Sequence, residues 1–140
     1  YEIRVPRFKL KAEAGADFVQ TQCIYNMEKF RQYMEDSKKE GLHEKVKILA
    51  GVTPLKSAGM AKFMNRMVAG IDIPEEVIKR IADEPKEKQA AKGIEMCIEQ
   101  IQELKEMDGI AGVHVMAIEW EEKLNEIVGG AGLLPRPIVD

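Results

Sequence analysis

Short apolar segments rich in β-branched residues alternate along the chain with longer segments in which apolar residues recur every three or four positions. The short segments predict strands over 16–25, 45–52 and 112–118. The second segment, KVKILAGV, is nearly continuous in apolar residues after its lysines, which is typical of a strand covered on both faces. Strands separated by helices predict an α/β fold with parallel strands and right-handed crossovers.

The longer segments predict helices between and beside these strands. Asn26 and Ser57 stand where N-cap residues are expected, and Pro74 opens a helix with an acidic first turn. The predicted helices cover 5–14, 27–40, a short segment from Ser57, a segment from Pro74, 86–107 and 120–128. The helix after Ser57 carries an apolar stripe that we expect to pack in the core, made of Met60, Phe63, Met64 and Met67.

Composition and charge narrow the class of protein. The chain has 140 residues, 45% of them hydrophobic, so we expect one domain over 1–140 with its own core. The net charge of -3 argues against a nucleic-acid binder or an anionic-membrane binder. No apolar run is long enough to span a membrane. Two cysteines are too few for a disulfide framework, which favours a reducing, intracellular setting.

The number of predicted strands is small for a finished α/β domain. A doubly wound sheet has more strands, and an eight-stranded barrel takes about 250 residues. Each outer strand would leave an unpaired edge. The chain also begins with Tyr1 rather than an initiator methionine, which suggests a processed or excised piece. We therefore expect the chain to self-associate or to belong to something larger.

Gln22 is the strongest candidate for ligand binding that the strands offer. Phe18, Gln20 and Gln22 share one face of the first strand, and Gln22 stands at its carboxyl end. In barrels and open α/β sheets, ligands bind at that end of the strands. A carboxamide donates and accepts hydrogen bonds at once, which suits a heterocycle or an amide. The alternative is a core glutamine bonded to a neighbouring strand or to water.

Other residues of interest have plainer interpretations. Gly51 at the end of the second strand permits a close backbone approach, or simply serves turn geometry. Acidic residues after the third strand complement a helix dipole. The remaining candidates are interpreted as a core histidine, two small apolar thiols and ordinary solvated cations, namely His114, Cys23, Cys97, Lys9 and Lys11. No metal-ligand spacing is present.

Four segments, in order and properly spaced, resemble the methylenetetrahydrofolate reductase family. They are KAEAGADFVQTQ at 11–22, AGVTP at 50–54, GIDIP at 70–74 and GVHVMAIE at 112–119. Each segment alone is modest, but together they cover nearly the whole chain. The resemblance implies part of a (β/α)8 TIM barrel, in which the three strands are equivalent to strands 6–8 and the first helix follows strand 5.

The resemblance also implies a reaction and its participants. The family uses FAD to pass hydride from NAD(P)H, or another electron donor, to 5,10-methylenetetrahydrofolate, which gives 5-methyltetrahydrofolate. The expected substrate is a folate or a related pterin such as tetrahydromethanopterin. The expected setting is one-carbon metabolism and methionine biosynthesis in the cytoplasm.

Three positions match binding residues of the family. Gln22 matches a glutamine that contacts the pterin and the nicotinamide, and Lys11 matches a lysine at the FAD surface. Phe63 matches an aromatic that packs on the folate or the nicotinamide. No residue here matches a catalytic one, because the acid that promotes iminium formation lies in the first barrel strand. Family positions for a folate glutamine, an arginine and an FAD-contacting acid fall at Gly59, Trp120 and Arg4.

Most flavin contacts of the family lie in strands 2–5, so we expect this chain alone to hold FAD poorly and to be inactive. Two alternatives stay open. One is a non-catalytic α/β module that self-associates or completes another subunit. The other is a barrel domain of the pterin-dependent methyltransferase type, which needs no flavin.

Overall fold

A computed structural model of the protein describes residues 4–136 and residue 138. Outside the described residues lie 1–3, 137, 139 and 140. They include Tyr1, on which the expectation of a processed or excised piece depends. The strands are β1 (Phe18–Cys23), β2 (Lys47–Val52) and β3 (Gly112–Val115). The helices are α1 (Arg4–Glu13), α2 (Met27–Lys39), α3 (Leu42–Lys45), α4 (Ala58–Met67), α5 (Glu75–Ala82), α6 (Lys86–Lys105) and α7 (Leu124–Gly130), with a 3-10 turn at Glu121–Lys123.

The three strands form one parallel sheet in the order β1-β2-β3. Phe18 pairs with Lys47 in the first ladder, and Leu49 pairs with Gly112 in the second. The predicted α/β fold with parallel strands is therefore confirmed. Each strand is shorter than predicted, because the flanking residues belong to loops or, for Lys45, to helix α3. The equivalence of these strands to barrel strands 6–8 stays a prediction.

Most predicted helices are present, and their caps form as expected. The Asn26 side chain accepts a hydrogen bond from the Lys29 N–H (3.0 Å), and the Ser57 hydroxyl accepts one from the Met60 N–H (3.1 Å). The one-turn helix α3 is an addition, since the sequence around His43 predicts only a loop. Leu42 is only 2% exposed, and its burial in the core anchors this turn.

The predicted burial of the α4 stripe is wrong in part. Met64 is buried, but Phe63 and Met67 are 62% and 58% exposed. The buried face of α4 consists instead of Ala58, Ala61 and Met64, which pack with the apolar side of α5. Two alanines let the helices approach closely, so the small residues rather than the large ones turn inward.

The main core covers one face of the sheet. Ile48, Ala50 and Val52 of β2 are fully buried against side chains from α2 and α6. The opposite face is open: Lys47 is exposed, Leu49 is half-buried, and the same face of β1 is exposed. The prediction that β2 is covered on both faces is therefore wrong for the described residues. Among those residues, no helix is both long and apolar enough to cross a membrane.

Gly93 sets the distance between α6 and the segment that follows β2. A Cβ atom at Gly93 would lie 1.7 Å from the carbonyl oxygen of Leu55 and 2.8 Å from its carbonyl carbon. Both are backbone atoms, so a side chain there would displace the whole helix.

We predict that Gly93→Ala lowers the free energy of unfolding by about 3 kcal/mol, because overpacking against backbone outweighs the better helix propensity of alanine. Urea unfolding followed by circular dichroism measures the change. Gly59→Ala in α4 is the control, since its nearest neighbour would be the Ser57 hydroxyl at 3.6 Å. Equal stability of the two variants would show that the close contact at Gly93 is absent.

Candidate functional site

A cleft of about 310 Å³ runs along the outer edge of β1. Its walls come from α1, β1, the start of α2 and the loop after α4. Polar groups line it, among them the cations Arg4, Arg7 and Lys11, the amides Gln20, Gln22 and Asn26, and the carboxylate of Asp72. Phe8 and Tyr33 add apolar surface. The cleft therefore combines positive charge, amides and aromatic rings.

Gln22 lies at the carboxyl end of β1, as predicted, with an exposed side chain. Its carboxamide makes no hydrogen bond with any other residue in the described part of the chain. The carboxamide oxygen instead faces Gly70, where a Cβ atom would lie only 2.7 Å from it. The alternative of a core glutamine bonded to a neighbouring strand is therefore wrong.

A bulge in β1 sets the direction of Gln22. The pairing of β1 with β2 shifts register between Gln20 and Cys23. The Thr21 hydroxyl lies in this shift: it accepts a hydrogen bond from the Gly51 N–H (2.8 Å) and donates one to the Gln22 carbonyl (2.8 Å). Bulges of this kind commonly re-aim a side chain beside a site.

Gly51 is required by the close approach of two strands. A Cβ atom there would lie 2.6 Å from the carbonyl oxygens of Thr21 and Gln22. The predicted close approach at Gly51 is confirmed, and the group that approaches is the neighbouring strand.

The loop at 68–74 is fixed beside Gln22 by two sets of hydrogen bonds. The Asp72 carboxylate accepts hydrogen bonds from the side chains of Asn26 and Lys29. The bond from Lys29 lowers the pKa of the Asp72 carboxyl below its usual value. The Asn65 side chain bonds both backbone groups of Ile73, at 2.9 and 3.2 Å. The sequence predicts a loop over 68–74, and this is confirmed, but it does not predict that the loop lies beside Gln22, although Asn65 and Asp72 are residues that often anchor loops.

The cations of α1 lie on one helical face. Arg4, Arg7 and Lys11 follow a spacing of three and four residues and all line the cleft. Within residues 4–136 and 138, neither Arg7 nor Lys11 forms an ion pair, whereas Lys9 pairs with Glu40 at 2.8 Å. From statistics alone Lys11 is an ordinary solvated cation, but the structure places it in the cleft with Gln22. Arg7 was missed, and its spacing from Lys11 was the available signal.

Phe63 is not among the residues that line this cleft. It lies on α4 with 62% of its surface exposed, one turn before Met67. The structure thus brings Lys11 and Gln22 together and places Phe63 on a separate exposed surface. Its predicted contact with a ligand stays a prediction.

The segment after β3 contains a strained residue. Glu119 has a φ of 52°, in the left-handed region that non-glycine residues rarely adopt. Lys56 holds it by donating to its carbonyl oxygen (2.9 Å) while lying 5.5 Å from the Trp120 ring centre. The interpretation of the acids after β3 as helix-dipole partners is wrong for Glu119, which precedes the turn, whereas Glu121 and Glu122 lie in the first turn as expected.

The two thiols differ in environment. Cys97 is buried, and burial raises the pKa of its thiol to about 12, so it stays protonated at neutral pH. This confirms its interpretation as a small apolar residue. Cys23 is half-buried, and its sulfur lies 3.0 Å from the Thr53 hydroxyl.

The sequence matches known proteins along nearly its whole length. The family model described as methylenetetrahydrofolate reductase matches residues 1–132. Methylenetetrahydrofolate reductase 2 of Schizosaccharomyces pombe is 28% identical over 141 residues, which cover 94% of this chain and 21% of that protein. A probable methylenetetrahydrofolate reductase (NADPH) of Caenorhabditis elegans is 24% identical over 135 residues, covering 95% and 20%. The chain therefore spans about a fifth of the length of the curated relatives that it matches.

We predict that Thr21→Val lowers the free energy of unfolding by about 1–2 kcal/mol, because the Gly51 N–H loses its acceptor in a buried position. Thr21→Ser keeps the hydroxyl and is expected to retain most of the stability. Chemical denaturation of both variants measures the difference. If the valine and serine variants unfold at the same denaturant concentration, the hydroxyl does not hold the bulge.

Proposed function

Because this chain belongs to the methylenetetrahydrofolate reductase family, we propose that it supplies a ligand-binding part of an enzyme that reduces 5,10-methylenetetrahydrofolate to 5-methyltetrahydrofolate. One observation carries the proposal most directly. Lys11 and Gln22, the residues that match cofactor and substrate contacts of the family, line the same cleft.

Gln22 is proposed to bind the pterin ring. Its carboxamide is exposed and unbonded within the described residues, so a ligand need not displace an existing partner. A pterin ring carries an amide-like edge with a donor and an acceptor, which a carboxamide complements. The same property lets Gln22 bind the nicotinamide amide of a reduced donor, NADH or NADPH, when the pterin is absent.

The cleft fits the anionic part of FAD. Lys11 and Arg7 present positive charge without an ion-pair partner among the described residues, which suits the phosphates. Tyr33, which is half-buried, offers apolar surface for the organic part. When bound, the flavin supplies the transfer of hydride between the electron donor and the folate. Lys11 and Arg7 are proposed to hold its phosphates.

The size of the cleft supports a shared flavin site. Its volume of about 310 Å³ lies at the lower end of the range for small-molecule pockets, and FAD is larger than most such ligands. We therefore propose that this chain forms one wall of the site, and that the 140 residues alone bind FAD weakly and do not turn over.

Phe63 is proposed to stack on a planar ring of the folate or of the nicotinamide. An aromatic side chain that is 62% exposed on a helix offers a face for such packing.

The open face of the sheet supports the proposal of a barrel. Phe18 is 57% exposed beside Gln20 on this face, and β1 has no described strand on its outer side. We propose that the start of this edge, beside Phe18 and outside the cleft lining, pairs with a further strand, from another segment of the same protein or from a second copy of the chain, which leaves the cleft open at the Gln22 end. The free cysteines fit a reducing compartment, so we place the enzyme in the cytoplasm.

We predict that Gln22→Ala in the complete gene product lowers kcat/KM for methylenetetrahydrofolate by about 10- to 100-fold, because one or two ligand hydrogen bonds are lost. Steady-state assays with FAD and a nicotinamide donor measure it. Gln20→Ala, two residues earlier on the same face, is the control and is expected to have a smaller effect. An unchanged rate in the Gln22 variant would refute its assigned role, and absence of flavin would favour a methyltransferase.

We predict that Lys11→Ala in the complete gene product raises the Kd for FAD by about tenfold, because a charge-assisted contact to phosphate is lost. Quenching of flavin fluorescence measures the affinity. Lys9→Ala is the matched control on the same helix, since Lys9 pairs with Glu40 and does not line the cleft. Equal affinities of the two variants would place the phosphates elsewhere.

A further inference from the structure

Gly70 lies directly against the carboxamide of Gln22. A Cβ atom at Gly70 would be 2.7 Å from the carboxamide oxygen and 3.7 Å from its carbon. The backbone of Gly70 also has a φ of +85°, which glycine adopts without strain. Glycine is thus the residue that leaves the carboxamide in its present position.

The loop that carries Gly70 is tied down on both sides. Asp72, which follows Gly70 by two residues, accepts hydrogen bonds from the side chains of Asn26 and Lys29 at the start of α2. Val68 accepts a hydrogen bond from the Ile71 N–H (3.2 Å), which closes the turn around Gly70. Ile73 is 2% exposed, so the end of the loop is anchored in the apolar cluster between α4 and α5. The contact with Gln22 is therefore made by a fixed segment.

The opposite side of Gln22 is fixed through its own backbone. The Thr21 hydroxyl bonds the Gln22 carbonyl and the Gly51 N–H, which holds the bulge from which the side chain projects. Between these two supports, the carboxamide has no hydrogen bond to another described residue. Its direction is set by contact, and its donor and acceptor stay available.

We propose that Gly70 is a positioning residue for Gln22. The loop tied by Asp72 holds a residue without a side chain beside the carboxamide, and this leaves the carboxamide oriented toward the ligand. The orientation of the Gln22 carboxamide can be tested without a ligand. The role of that orientation in binding the pterin rests on the proposed function.

Spectroscopy of the Gln22 side chain tests the orientation without any ligand. In the complete gene product labelled with [15N]glutamine, Gln22→Glu identifies the side-chain amide resonances of Gln22. We expect Gly70→Ala to shift or split these resonances. Gly15→Ala is the matched control, because Gly15 also has positive φ (+90°) but a Cβ there would meet nothing within 4 Å. Unchanged Gln22 resonances in folded Gly70→Ala would overturn the proposal.

A double-mutant cycle tests the consequence for binding. We expect Gly70→Ala to raise the Kd for 5-methyltetrahydrofolate by about tenfold in the wild-type background and by less than about twofold in Gln22→Ala. An equal loss in both backgrounds would show that Gly70 acts on something other than Gln22. If the unmodified protein binds no folate, the proposed function fails, while the amide resonances still decide whether Gly70 positions Gln22.

A milder variant covers the case in which Gly70→Ala does not fold. Asp72→Ala releases the loop without adding a side chain beside Gln22, and we expect it to shift the same amide resonances. Asp36→Ala is the control, because Asp36 also pairs with a lysine and is 42% exposed against 43% for Asp72. Similar spectra for the two variants would overturn the proposal that the loop orients Gln22.

Discussion

The close contact between β1 and β2 at Gly51 is the constraint on which the site depends. Because Gly51 has no side chain, the carbonyls of Thr21 and Gln22 can approach its α-carbon, where a Cβ would lie at 2.6 Å. The Thr21 hydroxyl then completes the bulge at this point. The result is a strand end that turns one glutamine side chain out of the sheet, next to the cations of α1 and the loop at 68–74. Without this contact between the strands, Gln22 would face neither the cations of α1 nor the loop at 68–74.

The cleft joins groups that come from distant parts of the sequence. Lys11 precedes the first strand, and Gly70 and Asp72 follow the second, yet all three line the same cleft as Gln22. Within the described residues the Gln22 carboxamide has no hydrogen-bond partner, so its donor and acceptor are open to a ligand. The cations and aromatic rings then favour an anionic, planar ligand, which agrees with membership of the methylenetetrahydrofolate reductase family.

The strands, most helices and the location of Gln22 could be predicted because they follow from local patterns. Asn26 and Ser57 cap helices as their chemistry requires, and alternation along β1 puts Gln22 on the open face. The α4 stripe could not be predicted, since hydrophobicity alone does not reveal that alanines set the helix contact. The strain at Glu119 and the contact of Gly70 with Gln22 arise from long-range packing, which no local pattern records. The prediction that β2 is covered on both faces was wrong, because the described helices pack against only one face of the sheet.

In the proposed function, the Gln22 carboxamide faces a bound pterin at the carboxyl ends of the strands. A crystal structure of the complete gene product with FAD and 5-methyltetrahydrofolate tests it most directly. We expect a carboxamide oxygen or nitrogen of Gln22 to lie about 2.7–3.2 Å from a polar atom of the pterin ring. A pterin bound away from β1, or a Gln22 side chain turned into the helical layer, would contradict it.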